Sequence, residues 1–272
     1  MPSFSAPDGT TLVYDAYEPP RPRAAILFVP GWSDHAGRWS WLGRRFEEAG
    51  VAAYLLDTRG HGRSGGRRGH LSRFSQLLGD LQAFRRAVRP RTQAPQVLLG
   101  HSFGGLVVLR YLESQPNDVL AAIVSSPFLG LAFSPPAWKL FLGRLLADLW
   151  PTAGLPAGID GGALSRDPAV GAAYEGDPLV HDRMTPGAWK EIQWAHRAVS
   201  ADGHHIERPV LFLLAGEDRV ADPHLARAFA DGLKAPVEVR WYPEMYHEVL
   251  QDPQKEHVVG DVLAYLSRHG IS

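Results

Sequence analysis

A serine hydroxyl is a weak nucleophile until a neighbouring base takes its proton, and this chain holds three side chains that could divide that work. Gly100-His101-Ser102-Phe103-Gly104 fits a Gly-x-Ser-x-Gly pattern. It directly follows the apolar run Val97-Leu98-Leu99 and directly precedes Leu106-Val107-Val108-Leu109, the strand, sharp turn and helix order that lifts a serine hydroxyl above a sheet. The flanking glycines leave room beside the nucleophile. The start of the helix directs backbone N–H groups toward developing negative charge.

A base and an acid follow in the order serine, acid, histidine. Asp218 stands in Ala215-Gly216-Glu217-Asp218-Arg219, just beyond the apolar run Val210 to Leu214, and His247 follows Tyr242-Pro243-Glu244-Met245-Tyr246. Asp218 would hold the imidazole in its useful tautomer, and His247 would deprotonate Ser102 and later protonate a leaving alcohol. Glu217 and Asp222 are alternatives for the acid, whereas Ser125-Ser126-Pro127 offers no carboxylate after the preceding strand. Most of the 12 histidines are expected at the surface.

An oxyanion needs two N–H donors. One is the amide of Phe103, and the other is that of Trp32 in Pro30-Gly31-Trp32-Ser33-Asp34-His35, where the glycine permits a tight turn. His35 is read as a lone surface histidine. Arg59-Gly60-His61-Gly62-Arg63-Ser64 is glycine-rich but lacks the Gly-Lys-Ser/Thr of a phosphate loop.

These residues need a frame. Apolar runs at Ala24–Val29, Val51–Leu56, Pro95–Leu99, Val119–Val124, Pro209–Ala215 and Val237–Tyr242 read as strands. Several are apolar throughout, as strands buried on both faces must be. Between them, Arg38–Ala49, Phe74–Val88, Phe103–Glu113, Pro223–Leu233 and Glu256–Arg268 carry apolar residues at helical spacing. Asp8-Gly9 reads as a hairpin turn between Phe4 and Leu12-Val13-Tyr14. The fold class is therefore α/β, a mostly parallel doubly wound sheet. From 127 to 206 the alternation stops, and that segment reads as a helical cap inserted into a core of residues 1–126 and 207–272.

Charge and composition exclude several classes. Lys+Arg 28 against Asp+Glu 29 leaves no footprint for nucleic acid, and the absence of cysteine removes disulfides, thiolate metal sites and thiol nucleophiles. The first residues lack the basic start and apolar run of a signal peptide, so a cytoplasmic location is expected.

Pro30-Gly31-Trp32-Ser33-Asp34-His35-Ala36-Gly37-Arg38, Asp57-Thr58-Arg59-Gly60-His61-Gly62-Arg63-Ser64, Gly100 to Gly105, Asp177-Pro178-Leu179 and Tyr246-His247-Glu248 together resemble the monoacylglycerol lipase and lysophospholipase group of the α/β-hydrolases. The resemblance spans nearly the whole chain. It implies the same triad and the same two amide donors, with Pro30 standing where many members have histidine. It also implies hydrolysis of a monoacylglycerol or similar single-chain lipid ester through an acyl-enzyme, with no metal or cofactor. A short-chain carboxylesterase and a non-catalytic binding protein of the same fold are the competing readings. Within the cap, Ala137 to Trp150 reads as a helix with a broad apolar face. Trp138, Phe141, Leu142 and Leu145 on that face are expected to wall an acyl tunnel or to make transient contact with a membrane surface.

Overall fold

Five strands are buried from end to end, because both of their faces carry aliphatic or aromatic side chains with helices on either side. The computed structural model describes residues 1–114 and 119–270, with only the backbone described at Lys139 and Leu140. The sheet contains β1 (Ser3–Ser5), β2 (Thr11–Tyr17), β3 (Ala24–Val29), β4 (Val51–Leu56), β5 (Gln96–His101), β6 (Ala121–Ser125), β7 (Val210–Ala215) and β8 (Val237–Tyr242). Its order is β1-β2-β4-β3-β5-β6-β7-β8. β1 and β2 pair antiparallel, as do β2 and β4, and every later pairing is parallel.

The helices are α1 (Ser40–Glu48), α2 (Phe74–Val88), α3 (Phe103–Ser114), α4 (Ala137–Leu149), α5 (Pro168–Gly176), α6 (Pro186–Asp202), α7 (Pro223–Gly232) and α8 (Lys255–Arg268). Alternation along β3 divides the core in two. Ala25, Leu27 and Val29 join Phe84 of α2 and Leu106 of α3 on one face, while Ala24, Ile26 and Phe28 join Phe46 of α1 and Val258 of α8 on the other. The sequence places a helix start at Arg38, but a short 3-10 turn over Ala36–Trp39 precedes α1. Its cause is local: the His35 ring accepts the Gly37 N–H and tightens the turn.

Strand order decides where a site forms. The chain passes from β3 outward to β4 and then returns to β5 on the other side of β3, so the connections at the carboxyl ends of β3 and β5 part from one another. Gly31 follows β3 and Ser102 follows β5. They meet there, with a Cβ built on Gly31 only 3.4 Å from Ser102 Cβ. α4, α5 and α6 all lie in the stretch between β6 and β7. No helix among the described residues is long and apolar enough to cross a membrane.

Glycine is required where α3 closes on β3, since a Cβ at Gly104 would overlap the Val29 carbonyl oxygen and sit 2.6 Å from that of Pro30. Gly143 on α4 has open space instead. Gly104→Ala is expected to lose about 1–3 kcal/mol of unfolding free energy, and Gly143→Ala to gain up to about 1 kcal/mol, by urea titration at unchanged slope. Equal effects at both positions would contradict the packing account.

Candidate active site

Ser102 sits on a strained turn. Its φ of 53° lies in the left-handed region that side chains avoid, and the turn is held by the Ser102 N–H donating to the Ser125 carbonyl at 2.9 Å. The Ser102 carbonyl accepts N–H groups from Gly105, Leu106 and Phe128 at 2.9–3.2 Å. The Phe103 amide is left at the first position of α3, where helix geometry provides no intrahelical acceptor.

Trp32, the other expected amide donor, is held by its side chain. The indole Nε1–H donates to the Arg183 carbonyl at 2.9 Å, and the ring stands edge-on to Phe103 with centroids 5.0 Å apart. This contact brings the loop after β3 against the start of α3.

His247 and Asp218 are joined by a 2.7 Å hydrogen bond from Nδ1–H to Oδ2, with both side chains sealed from water. The second Asp218 oxygen accepts the N–H groups of Val220 and Ala221 at 2.8 and 3.0 Å, which fixes the carboxylate plane. Glu217 is exposed, and Asp222 caps α7 by accepting from His224 and Leu225. Neither alternative acid is free to orient His247. Burial works against the His247 imidazolium, yet the charge and hydrogen bond of Asp218, with Glu248 and Asp34 behind, outweigh it and raise the histidine above its ordinary value. His101 goes the other way. Burial, the neighbouring His247 and Arg38 push it well below the usual imidazole range, so it is neutral.

Behind this pair lies a buried ion network that the sequence reading did not anticipate. Arg38 forks onto both Glu248 oxygens at 3.0 and 2.9 Å, meets Asp34 at 2.9 Å and stacks on the Tyr174 ring at 4.8 Å. Burial opposes the guanidinium charge, but the two carboxylates overcome it and hold Arg38 above its ordinary value. Asp34 also accepts the Trp39 indole N–H at 2.6 Å and the His35 N–H at 2.7 Å. The available signal was the spacing Asp34-x-x-x-Arg38 together with Glu248 beside His247.

His35 is a correction. It is not a surface histidine but is buried, with Nε2–H donating to Asp177 at 3.0 Å and Nδ1 accepting from Gly37. Among the described residues only His204, His205, His224 and His257 are exposed, so the expectation that most histidines lie outside also fails. A lone histidine in a sequence carries no mark of the distant carboxylate that will enclose it. The glycine-rich loop is likewise internal: Arg59 pairs with Asp80 at 2.5 Å, and Arg63 pairs with Asp57 and Asp15 at 2.7 and 2.9 Å.

Two cavities meet at Ser102. A small one of about 30 Å³ is lined by Asp34, Arg38, Tyr174, His247 and Glu248 together with Leu164. An apolar one of about 230 Å³ is lined by Phe103, Phe128, Leu131, Phe133, Met184, Trp189 and Ile192. Trp32, Ser102, Ile159 and Val220 border both. The expected tunnel walls Trp138, Phe141, Leu142 and Leu145 border neither, and all four are exposed on α4. Helical spacing predicts a stripe but not which way it faces, and α4 turns Ala147 inward. Among the described residues no group of three or more His, Asp or Glu is arranged to hold a metal ion.

A family model described as serine aminopeptidase, S33, matches residues 20–254. The chain belongs to this hydrolase family. A monoacylglycerol lipase of Mycolicibacterium smegmatis is 32% identical over 272 residues, covering 98% of this chain and 96% of its own length. A phospholipase of Bacillus subtilis is 26% identical over 92% and 97%. Among solved structures, the monoacylglycerol lipase of Paleococcus ferrophilus superposes with a TM-score of 0.87 at 28% identity, over 95% of this hydrolase and 99% of that chain. A soluble variant of the Saccharomyces cerevisiae monoglyceride lipase, at 19% identity, superposes with a TM-score of 0.88 and shares the α/β-hydrolase fold over 98% and 94%.

Two outcomes test the electrostatics of this hydrolase. Arg38→Ala strands two buried carboxylates and is expected to cost about 3–5 kcal/mol in denaturant unfolding. By NMR titration His247 is expected to lose its proton above pH 6.5, roughly the ordinary imidazole value, and Glu248→Gln is expected to lower that midpoint by removing a negative charge. Because the folded value is raised, this pair's stabilisation is present at low pH and is lost as pH climbs through it. An unmoved midpoint in folded Glu248→Gln would contradict the assignment of Glu248 as a contributor.

Proposed function

We propose that this hydrolase cleaves the ester of a monoacylglycerol or similar single-chain lipid through an acyl-enzyme on Ser102. The observation that carries the reading is the pair of unequal cavities meeting at that serine. A fatty acyl chain matches the apolar cavity. The leaving alcohol would lie toward the smaller one, beside Tyr174 and the Arg38 network. The named lipase relatives support the same direction.

In this mechanism His247 takes the Ser102 proton as Oγ attacks the ester carbonyl, and Asp218 stabilises the imidazolium that forms. The Phe103 and Trp32 amides receive the oxyanion. His247 then returns the proton to the leaving alcohol, and water releases the acid by the same steps in reverse order. The family description includes aminopeptidases, which must hold a substrate ammonium. Here the two carboxylates at the smaller cavity are already engaged, Asp34 by Arg38 and the Trp39 indole and Glu248 by Arg38 and Gln251, so neither is free to receive one. That leaves an uncharged alcohol as the better guest.

The segment from 127 to 206 acts as a cap in this reading. Its exposed face on α4, with Trp138 at 64% and Phe141 at 70% exposure, rests transiently on the lipid aggregate that supplies substrate.

A fluorophosphonate probe is expected to label the wild type and not Ser102→Ala, with turnover favouring longer-chain monoacylglycerols over short esters. Ser102-dependent labelling with only short-ester turnover would replace the lipid reading by a carboxylesterase, and an unlabelled folded wild type would remove the nucleophile. Activity at subsaturating substrate should rise with pH as His247 loses its proton, so a flat profile from about pH 5 to 8 would sink His247 as the base.

A further inference from the structure

Between α4 and α6 lies a third cavity of about 360 Å³, open to solvent and lined by Arg144, Ala147 and Asp148 of α4 and by Lys190, Gln193 and Arg197 of α6. Asp148 and Lys190 meet across its solvent side at 2.7 Å. It differs from the apolar cavity at Ser102 in the charged heads that border it, three cations and one carboxylate. Among the described residues a single side chain, Trp189, lines both.

We infer that Trp189 sets the acyl-length limit of this hydrolase, as one indole closing the apolar cavity at Ser102 from the charged cavity between α4 and α6. The inference rests on the lipid-ester reading above. The Trp189 ring lies beside Phe128, with centroids 6.5 Å apart. Phe128 in turn donates its N–H to the Ser102 carbonyl at 2.9 Å, so the indole stands one residue removed from the nucleophile's own turn.

The limit has a steric and a polar part. Inside the apolar cavity each added methylene leaves water for aromatic and aliphatic walls and gains by burial. Past the indole the same methylene would displace water from Arg144, Lys190, Asp148 and Arg197, whose charged heads it could not solvate. A chain too long for the apolar cavity therefore meets first a wall and then an unfavourable compartment. Removing the indole lifts the first obstacle without altering Ser102, Asp218, His247 or the Trp32 and Phe103 amides.

The test compares wild type, Trp189→Phe and Trp189→Ala on p-nitrophenyl octanoate and p-nitrophenyl palmitate, with fluorophosphonate labelling of each protein alongside. In Trp189→Ala the palmitate-to-octanoate ratio of kcat/KM is expected to rise about tenfold, mainly through a lower KM for palmitate. Trp189→Phe, which keeps an aromatic wall and guards against a folding defect, is expected to fall between the two. An unchanged ratio in a Trp189→Ala protein that labels like wild type would overturn the inference, as would an equal loss on both esters. A wild type that neither labels nor turns over either ester would instead remove the ester reading on which it rests.

Discussion

The Arg38 guanidinium, sealed between Asp34 and Glu248, joins the loop after β3 to the residue beside His247 across 210 positions of sequence. A buried ion triad gains little net stability over apolar packing, because desolvating the charges cancels much of their attraction. Its physical consequence is positional. Carboxylates cannot be left alone in a dry interior, so the β3 loop and the His247 loop are held to one geometry. Asp34 passes that constraint to Trp39 and His35, and His35 passes it to Asp177 between α5 and α6.

The Ser102 turn depends on a second constraint, close approach. α3 can begin directly over β3 only because Gly104 lacks a side chain, and Ser102 must then take a left-handed backbone conformation. That strain is held by hydrogen bonds to Ser125 and from Phe128, Gly105 and Leu106. Strand order contributes the rest, by parting the chain on either side of β3 and leaving a crevice where two loops of different origin meet. In the proposed reaction the crevice divides by polarity, with charge on the Arg38 side and aromatic surface on the Trp189 side.

Local signals explain what was readable beforehand. β3, β4 and α2 fall where periodicity placed them, because a run buried on both faces and a 3.6-residue stripe are each written in consecutive residues. Ser102, Asp218 and His247 stand near one another for a related reason, each following a strand whose carboxyl end lies on the same sheet edge. His35 misled because its partner Asp177 lies 142 residues away. The α4 stripe misled because the same spacing describes a face turned to the core and one turned to solvent.

The sequence by itself determined the sheet, the helices on both sides and the set of side chains able to do serine chemistry, since these follow from neighbours along the chain and from order along it. Only the tertiary structure decided which carboxylate meets His247, that Arg38 holds the site together, and that the apolar cavity is walled by Phe128, Met184, Trp189 and Ile192 and not by α4. Those outcomes depend on distances between residues far apart in sequence, and such distances exist only once the sheet order has brought the loops together.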